Sequence, residues 1–331
     1  MKSLIKASCA TVIPMLLVAC TLAADWKPAP GPLNTRWTKD VTPDTAWREY
    51  PRPQLVRPDW VNLNGLWQYA ITEKDSDRPA TWAGDILVPF AVESALSGVR
   101  KPVSPAQRLW YRLLFEAPAL KSDQRLLLHF GAVDWQCTVW ANGQQVGQHV
   151  GGYDPFTIDI TTAAKEGTNE LVVAVWDPTD TGFQPKGKQV LKPEGIMYTA
   201  VTGIWQTVWL ETVPREYIES LVIVPDVDRE TVTVTVRATP GLQVKLAAFD
   251  GGNKEWQEAS GVAGQPIEMK IPGAKLWSPS APHLYDLQVD LAKDAEVLDS
   301  VSSYFGMRKI EVRKDAEGIN RLMLNNQPLF Q

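Results

Sequence analysis

A chain of 331 residues is long enough for two domains of ordinary size. Its hydrophobic content of 44% and charged content of 21% are typical of a globular protein with a sizeable core. The net charge of −5 argues against a nucleic-acid or anionic-membrane partner, because such partners attract a basic surface. Twelve of the 14 tryptophans lie at or before Trp209, so the two halves of the chain are built differently.

The first 24 residues have the pattern of an export signal. Two lysines precede an apolar stretch, and Ala23-Ala24 offers the small residues of a cleavage site. A transmembrane anchor needs about 20 unbroken apolar residues, and Pro14 interrupts this stretch. Leu17-Val18-Ala19-Cys20 also matches a bacterial lipobox, in which Cys20 would be lipidated. We therefore expect a periplasmic protein, a secreted protein or an outer-membrane lipoprotein, with membrane contact only through a lipid anchor at Cys20.

The cysteine and histidine usage argues against metal and thiol chemistry. Outside the export segment the chain has one cysteine, Cys137, within a predicted strand. Its simplest role is that of a small buried hydrophobe, since a catalytic thiol would need a histidine partner. The three histidines are scattered without metal-ligand spacing. We predict neither a metal site nor a cofactor.

Residues 25–64 are rich in proline and show little periodicity, which predicts an extended arm over the first domain. Short strands joined by glycine, proline and asparagine turns follow, and Asn142-Gly143 is a strong hairpin signal. The predicted strands cover 65–71, 85–89, 109–115, 125–130, 135–141, 144–150, 156–160, 170–176 and 205–212. No segment shows a sustained helical period. This number of short strands predicts an all-β jelly-roll sandwich over 25–214.

Residues 203–211 close this series of strands with an alternating pattern that places Trp205 and Trp209 on one face. Two tryptophans on one face are typical of the wall of a β core, and a stacking platform for a sugar ring is the alternative. Before them, residues 177–202 show no convincing strand. Loops of more than about 15 residues are usually functional or disordered. The nearby aromatic residues favour an ordered loop with a function.

The composition changes after Pro214, where a second β domain begins. Residues 231–236 alternate strictly between threonine and valine, which predicts a half-buried strand. Further strands are predicted at 242–249, 267–271, 284–291 and 298–305. Their spacing predicts a seven-stranded immunoglobulin-like β-sandwich over 215–311. We read residues 312–331 as the opening hairpin of a further domain and expect the chain to be truncated there.

Nine short motifs stand in the order in which a known enzyme family carries them. They are Leu63-Asn64-Gly65-Leu66-Trp67, Val88-Pro89-Phe90, Trp110-Tyr111-Arg112, residues 128–135, residues 139–143, residues 151–156, residues 203–211, Leu276-Trp277-Ser278-Pro279 with Leu284-Tyr285, and Phe305-Gly306-Met307-Arg308. Each motif is unspecific alone. The ordered series resembles glycoside hydrolase family 2, the β-galactosidase, β-glucuronidase and β-mannosidase group, and covers nearly the whole chain after the export segment.

The resemblance implies that the first sandwich is a sugar-binding domain and the second an immunoglobulin-like spacer. The family's catalytic glutamates lie in a third domain, a (β/α)8 barrel, and residues 312–331 resemble its lead-in. Hydrolysis with retention needs two carboxyl groups about 5 Å apart. No two glutamates of this chain have a claim to that role, so we expect no catalytic residue here. The expected partners are a β-linked glycan or oligosaccharide and the missing barrel of the same chain.

The resemblance also directs attention to the loop over 177–202. Some family members place an acidic residue about six positions before the Gly-Ile pair in the active site, and this chain has Met197 there. A thioether cannot bind a hydroxyl or a sodium ion in the same way, which departs from a galactosidase- or glucuronidase-like pocket. Lys186, Lys188 and Gln189 are candidates for hydrogen bonds to a sugar hydroxyl or carboxylate. Solvated charges, or pairing with the barrel, are the alternative.

Three aromatic residues are candidates for stacking on a sugar, with core packing as the alternative: Trp110, Tyr111 and Tyr198. The function predicted for the whole protein is that of an exported exo-β-glycosidase acting on terminal β-linked sugars. Two other functions stay open at this point. One is a stand-alone carbohydrate-binding or adhesion module without chemistry, and the other is a purely structural β scaffold.

Overall fold

The computed structural model describes residues 26–330 except 32, 253 and 254. The predicted export segment, with Cys20, lies outside these residues. Within them, regular structure consists of strands and of two single-turn 3-10 helices, Thr38–Asp40 and Ala95–Ser97. No helix in this part of the chain is long and apolar enough to cross a membrane. The all-β prediction is confirmed.

The first sandwich contains two main sheets. Its described strands are β1 (Trp60–Asn62), β2 (Gly65–Glu73), β3 (Gly84–Val88), β4 (Gln107–Ala117), β5 (Gln124–Phe130), β6 (Val133–Asp134), β7 (Gln136–Ala141), β8 (Gln144–Val150), β9 (Phe156–Asp159), β10 (Gly167–Trp176), β11 (Gln189–Val190), β12 (Tyr198–Thr199), β13 (Gly203–Ile204) and β14 (Val208–Pro214). The six-stranded sheet has the order β3-β2-β4-β10-β7-β8, and the four-stranded sheet has the order β1-β14-β5-β9. This double-sheet arrangement confirms the jelly-roll prediction.

The core of the first sandwich lies between these sheets. Leu109 and Tyr111 enter it from β4, and Leu126 and Leu128 enter it from β5, because alternate residues of a strand face the same side. Each leucine buried in this way stabilises the fold by about 1.5–3 kcal/mol. Cys137 is enclosed in the same core, and burial raises the pKa of its thiol to about 12.

The predicted hairpin at Asn142-Gly143 joins β7 to β8. Both residues have positive φ, 50° and 82°. Positive φ at the two central residues is typical of the type I′ turns that connect adjacent antiparallel strands. The hairpin prediction is confirmed.

The closing segment of the first sandwich differs from its predicted form. Pairing stops after β13 and resumes at β14, so Trp205 lies outside a strand. Val208 and Leu210 face the sandwich core, whereas Trp209 points to the opposite side and is buried there. The prediction of a packing role is therefore confirmed for Trp209, which is buried, and is wrong for Trp205, which is half-buried and outside a strand. A buried indole N–H needs an acceptor, and Trp209 Nε1 donates to Glu211 Oε1 at 2.9 Å on this side.

Seven described strands form the second sandwich: β15 (Ser220–Asp226), β16 (Thr231–Arg237), β17 (Gln243–Phe249), β18 (Glu255–Val262), β19 (Pro266–Lys270), β20 (Tyr285–Lys293) and β21 (Glu296–Phe305). The sheet β15-β16-β19 packs against the sheet β18-β17-β20-β21. Val232, Val234 and Val236 of β16 are all buried, as the alternating pattern predicts. The immunoglobulin-like sandwich is confirmed.

The N-terminal arm lies over both sandwiches. Ala29 N donates to Ala95 O of the first sandwich at 2.8 Å. Further along, Leu55 packs into the core of the second sandwich, and Val56 pairs with Ser302 of β21. The prediction of an arm over the first domain was incomplete, because Leu55 of the arm is buried in the second sandwich.

Beyond the second sandwich, β22 (Ile310–Lys314), β23 (Asn320–Leu324) and β24 (Gln327–Pro328) form a three-stranded antiparallel sheet. This sheet begins at Ile310, slightly before the predicted boundary at residue 312. Ile310 and Val312 are 68% and 66% exposed, so the sheet presents an apolar surface.

Candidate functional site

The loop over residues 177–202 is ordered and contains its own strand pair. β11 and β12 pair in parallel, with Gln189 opposite Tyr198. Tyr198 N also donates to Lys188 O at 2.8 Å. The sequence predicts no strand here, because a strand of two residues leaves no periodicity to detect. The pairing places Lys188, Gln189 and Tyr198 side by side.

Three buried carboxyl groups lie beneath the ends of this loop, and we call Glu93, Asp134 and Asp177 the acidic cluster. Asp177 Oδ1 accepts a hydrogen bond from Thr179 N at 2.7 Å, and its Oδ2 accepts one from Thr202 Oγ1 at 3.1 Å. Glu93 Oε2 accepts a hydrogen bond from Thr202 N at 2.9 Å. Thr202, the residue before β13, is therefore held between two carboxyl groups.

Gln189 connects Asp134 to the returning end of the loop. Its Nε2 donates to Asp134 Oδ2 at 3.2 Å, and its Oε1 accepts from Val201 N at 2.6 Å. Gly152 packs against the other carboxyl oxygen, since a Cβ at Gly152 would lie 2.5 Å from Asp134 Oδ1. Both ends of the Gln189 amide are thus engaged, and this side chain positions the loop.

Burial controls the acid–base behaviour of the acidic cluster. Burial, followed by the charge of Asp177, raises the pKa of Asp134 to about 7. Burial also raises the pKa of Glu93 to about 7, although the hydrogen bond from Thr202 opposes this shift. The pKa of Asp177 is raised by burial as well. Burial is the largest cause of each shift, and no lysine or arginine among the described residues forms a salt bridge with the cluster.

The acidic cluster is not arranged for glycoside hydrolysis. A carboxyl group that acts on a glycosidic bond must come within hydrogen-bond distance of the substrate. Asp134 and Asp177 are only 3% and 2% exposed, and both oxygens of Asp177 already accept hydrogen bonds. Across the described residues, no three His, Cys, Asp or Glu side chains are grouped to hold a metal ion. The cluster supports the loop instead.

Lys188 and Tyr198 project from the strand pair into solvent. Tyr198 is 65% exposed, and Lys188 Nζ lies 5.8 Å from the centroid of its ring. Lys186 lies two positions earlier and is half-buried. An exposed ring beside a cation offers a sugar both a stacking face and a hydrogen-bond donor. These residues form the accessible part of the candidate site.

Trp110 and Tyr111 pack within the first sandwich and offer no ring face to a ligand. Tyr111 is fully buried, and its hydroxyl accepts a hydrogen bond from Ile204 N at 3.2 Å. Trp110 is 3% exposed on the outer face of the six-stranded sheet, where Trp140 stacks on it. Its Nε1 donates to Thr72 Oγ1 at 3.0 Å. The structure therefore places both residues in packing roles, which corrects their choice as sugar-stacking candidates.

Tyr153 is an accessible aromatic residue that the sequence analysis missed. It is 45% exposed and meets Trp205 edge-on, with ring centroids 6.2 Å apart. Its hydroxyl lies 3.5 Å from Gln189 Nε2, so it borders the loop. Trp205 Nε1 in turn donates to Gly152 O at 2.8 Å. A tyrosine within a glycine-rich turn is the signal that could have identified this residue.

A second buried carboxylate, Glu211 on β14, has the opposite surroundings. Arg52 Nη2 lies 2.7 and 2.6 Å from its two oxygens, and the Tyr50 hydroxyl donates to it at 2.6 Å. Arg57 Nη1 lies 3.3 Å from Glu211, and Arg57 Nη2 pairs with Asp299 of β21 at 2.7 Å. The arm therefore joins the two sandwiches through this group. We call the following residues the arginine-paired cluster: Tyr50, Arg52, Arg57, His129, Glu211 and Asp299.

The electrostatics of the arginine-paired cluster follow from its partners. Burial alone would raise the pKa of Glu211, but His129, Arg52 and Tyr50 outweigh it and hold the pKa well below its usual range. Burial lowers the pKa of His129, which stacks on Trp209 with ring centroids 4.8 Å apart. Glu211 thus stays ionised, and its charge is compensated.

Sequence reasoning missed all three members of the acidic cluster. Asp134 directly follows a long apolar run, and an acidic residue in such a position indicates a buried charge. Asp177 similarly follows the apolar strand β10. These signals identify burial but not proximity. Glu93, Asp134 and Asp177 meet because the segment after β3 comes together with the ends of β6 and β10.

The chain is thus a protein of two β-sandwiches in series, with an ordered loop that presents a lysine and a tyrosine on the first. The profile described as "Glycosyl hydrolases family 2, sugar binding domain" matches residues 60–214. The profile described as "Glycosyl hydrolases family 2" matches residues 216–308. The chain belongs to glycosyl hydrolases family 2.

Known relatives agree with this assignment. The chain is 29% identical over 235 residues to a β-galactosidase of Thermoanaerobacter pseudethanolicus, which covers 66% of this chain and 30% of that protein. It is 24% identical over 304 residues to a β-glucuronidase of Paenibacillus borealis, which covers 85% and 50%. A solved β-glucuronidase from Ruminococcus gnavus, in complex with a C6-substituted uronic isofagomine, shares its fold with a TM-score of 0.68 at 20% identity, over 84% of this chain and 49% of that chain. The chain spans half or less of the length of each of these proteins.

Proposed function

We propose that this chain is the non-catalytic N-terminal part of an exported exo-β-glycosidase that removes terminal β-linked sugars with retention. The observation that carries the proposal is the pair of family-2 domains, over 60–214 and 216–308, in a chain that spans half or less of its relatives. Retention requires two accessible carboxyl groups about 5 Å apart. The acidic cluster is buried, and the charge of Glu211 is compensated by two arginines. Neither cluster therefore supplies such a pair.

In this proposal the loop over 177–202 shapes the mouth of the glycan site. Lys188 and Tyr198 are exposed and adjacent, and Lys186 adds a second cation nearby. Cations favour electron-rich groups, such as sugar hydroxyl oxygens or a sugar carboxylate. Gln189 keeps these side chains in place through Asp134 and Val201. Relatives named as β-galactosidase and β-glucuronidase support terminal β-linked sugars as the substrate class.

Export is the second component of the proposal. It rests on the sequence of residues 1–24, with the cleavage site at Ala23-Ala24 and the lipobox-like cysteine at Cys20. Mass spectrometry of the mature N-terminus tests it. A start near residue 25 indicates simple export, an acylated Cys20 indicates a lipoprotein, and an intact Met1 contradicts export.

The catalytic part of the proposal is tested by measuring release of the aryl group from aryl β-glycosides of glucose, galactose, mannose and glucuronic acid. Residues 25–331 are compared with a longer polypeptide. We expect residues 25–331 alone to release no aryl group. A polypeptide continued through the downstream reading frame should hydrolyse at least one substrate, and NMR of the first-formed anomer should show retention. Turnover by residues 25–331 alone would contradict the proposal. A natural stop after the codon for Gln331 would favour a stand-alone carbohydrate-binding module.

A further inference from the structure

The N-terminal arm exposes three large apolar side chains. Leu33, Trp37 and Trp47 are 87%, 58% and 61% exposed. The matches to the two family profiles begin after this segment, at residues 60 and 216, so membership of the family gives the arm no role. Tryptophan is enriched in the buried centre of protein interfaces. Two exposed tryptophans in one ordered segment therefore indicate a surface that binds another protein domain.

The backbone at Trp47 is held in an unfavourable conformation. Its φ of 48° lies in the left-handed region, which bulky residues rarely adopt. Asn62 Nδ2 and Asn64 Nδ2 donate to the Trp47 carbonyl oxygen at 2.8 and 3.0 Å. At the next residue, Arg48 Nη2 donates to Pro43 O at 2.6 Å. These hydrogen bonds maintain strain beneath a largely exposed side chain, and such strain is concentrated at functional positions.

Leu33 lies beside the returning end of the loop over 177–202. It lines the same cavity as Val201 of the loop. The Arg100 guanidinium donates to Pro30 O, three residues before Leu33, and so fixes the arm at this point. The first exposed apolar residue of the arm is therefore next to the loop.

Trp47 is connected to the surroundings of the loop through the segment after β13. Asn64 Nδ2, which donates to Trp47 O, also donates to Thr207 Oγ1 at 3.2 Å. Trp205, two residues before Thr207, meets Tyr153 edge-on, and Tyr153 borders the loop. The arm thus reaches the region of the loop at two separate points.

The charge of this part of the arm is nearly balanced. Residues 33–48 carry three basic and two acidic side chains: Arg36, Lys39, Arg48, Asp40 and Asp44. Segments that bind anionic membranes depend on an excess of basic residues, which is small here, and the whole chain has a net charge of −5. The Arg36 guanidinium lies 4.2 Å from the centroid of the Trp37 ring. Tryptophan and arginine together are typical of the residues that dominate protein–protein binding, so a protein surface is the better fit.

We propose that Leu33, Trp37 and Trp47 form a docking surface for the catalytic domain of the same polypeptide, beside the loop over 177–202. The docking surface depends on the proposed function, which places that domain beyond residue 331. The lengths of the relatives leave room for such a domain, because the chain covers 30% of one and 50% of another. The arm already contacts both sandwiches, so docking would join all three domains through one segment.

The test is hydroxyl-radical footprinting with mass spectrometry on residues 25–331 and on the polypeptide continued through the downstream reading frame. We expect oxidation of Trp37 and Trp47 to fall by roughly fivefold or more in the longer polypeptide, because the centre of an interface excludes water. Leu114 of β4 is the control residue, since it is 54% exposed and lies outside the arm. It should be oxidised equally in both polypeptides.

A double variant makes the outcome specific. Trp37→Ala combined with Trp47→Ala should leave the urea midpoint of residues 25–331 unchanged, because both side chains are exposed there. In the longer polypeptide the same variant should lower the thermal midpoint by about 3 °C or more, since contacts across the interface are lost. Leu114→Ala is the matched control. It removes a similarly exposed apolar side chain and should change neither midpoint.

The proposal is overturned if both polypeptides are oxidised equally at Trp37 and Trp47, or if the double variant weakens residues 25–331 as much as the longer polypeptide. It is also overturned if residues 25–331 become protected as their own concentration rises, which would assign the surface to a second copy. Protection of residues 25–331 by vesicles of phosphatidylcholine and phosphatidylglycerol would overturn it in favour of a membrane.

Hydrolysis of aryl β-glycosides by the longer polypeptide separates this proposal from the proposed function. Hydrolysis with unprotected Trp37 and Trp47 defeats the docking surface alone. Protected tryptophans without hydrolysis support the docking surface and contradict the glycosidase. A natural stop after the codon for Gln331 defeats both.

Discussion

The acidic cluster and the arginine-paired cluster both bury carboxyl groups within the first sandwich, but only the second compensates the buried charge with arginine. Glu211 is surrounded by Arg52, Arg57 and Tyr50, and its pKa is held well below the usual range. Glu93 and Asp134 have hydroxyl, amide or backbone partners only, and burial raises their pKa values to about 7.

The difference in charge compensation gives the two clusters different roles in the molecule. A buried carboxylate with two arginines is permanently charged and links the arm, the first sandwich and, through Asp299, the second sandwich. Glu93 and Asp134, with pKa values of about 7, change protonation near neutral pH, and they lie under the loop over 177–202. The first arrangement is rigid at every physiological pH. The second arrangement changes its charge near neutral pH, and perturbed pKa values of this kind cluster at functional sites.

The largest effect is expected from breaking the arginine-paired cluster. Arg57→Ala leaves Glu211 with fewer partners and Asp299 without its arginine, and removing one partner of a buried ion pair costs about 3–5 kcal/mol. Urea unfolding of the mature chain measures the loss. Arg125→Ala is the control, because Arg125 and Asp159 form an exposed pair, 41% exposed on each side. Exposed pairs contribute about 0–1 kcal/mol. Equal losses for the two variants would contradict the contrast.

The next largest effect is a pH dependence carried by Glu93. Its folded pKa of about 7 lies above the ordinary value of 4.5, so the folded state keeps a proton that the unfolded state has lost. Stability from this group is therefore complete below pH 4.5 and falls by about 3 kcal/mol as the pH rises through 7. Glu93→Gln should remove this part of the decline. Urea unfolding at pH 5 and pH 8 compares the two proteins.

Glu211 provides a further test of the comparison, because its pKa is shifted in the opposite direction to that of Glu93. Its folded pKa lies below the ordinary value of 4.5, so its stabilisation is present above pH 4.5 and is lost as the pH falls through the folded pKa. Glu211→Gln should therefore weaken the acid sensitivity of the protein and leave the decline between pH 5 and pH 8 intact. If Glu211→Gln changed the decline in stability between pH 5 and pH 8 instead, the two clusters would be coupled.

A smaller effect is expected at Gln189. Gln189→Ala removes the hydrogen bonds to the buried Asp134 carboxyl group and to the half-buried Val201 N–H, at a cost of about 1–3 kcal/mol. Hydrogen exchange should accelerate at Val201 and Thr202 and stay unchanged in β16 of the second sandwich. Uniform acceleration throughout the protein would show that Gln189 supports the whole fold and not the loop.

The smallest effect on stability is expected at Lys188. Its side chain is exposed and lies beside the ring of Tyr198, so Lys188→Ala should change the free energy of unfolding by less than about 0.5 kcal/mol. In the longer polypeptide the same change should raise KM for an aryl β-glycoside. An unchanged KM would show that Lys188 does not contact the substrate.

Much of the fold could be predicted because its signals are local. The alternation at Val232, Val234 and Val236 and the turn at Asn142-Gly143 each need only a few neighbouring residues, and both were confirmed. The closing strand was harder, since its apolar alternation fits either face. Which face meets the sandwich core depends on β5 opposite it and on the acceptor that Trp209 needs, and neither is visible in residues 203–211.

The amino-acid sequence by itself determined most of the longer strands, the two sandwiches and the family, because hydrophobic periodicity and turn residues act over short distances. Only the tertiary structure decided that Trp110 and Tyr111 are buried, that Gln189 holds the loop, and that Glu93 and Asp177 share Thr202. The physical reason is that burial and charge compensation depend on side chains far apart in the chain. A carboxylate reads the same in sequence whether arginines or only hydroxyl groups surround it.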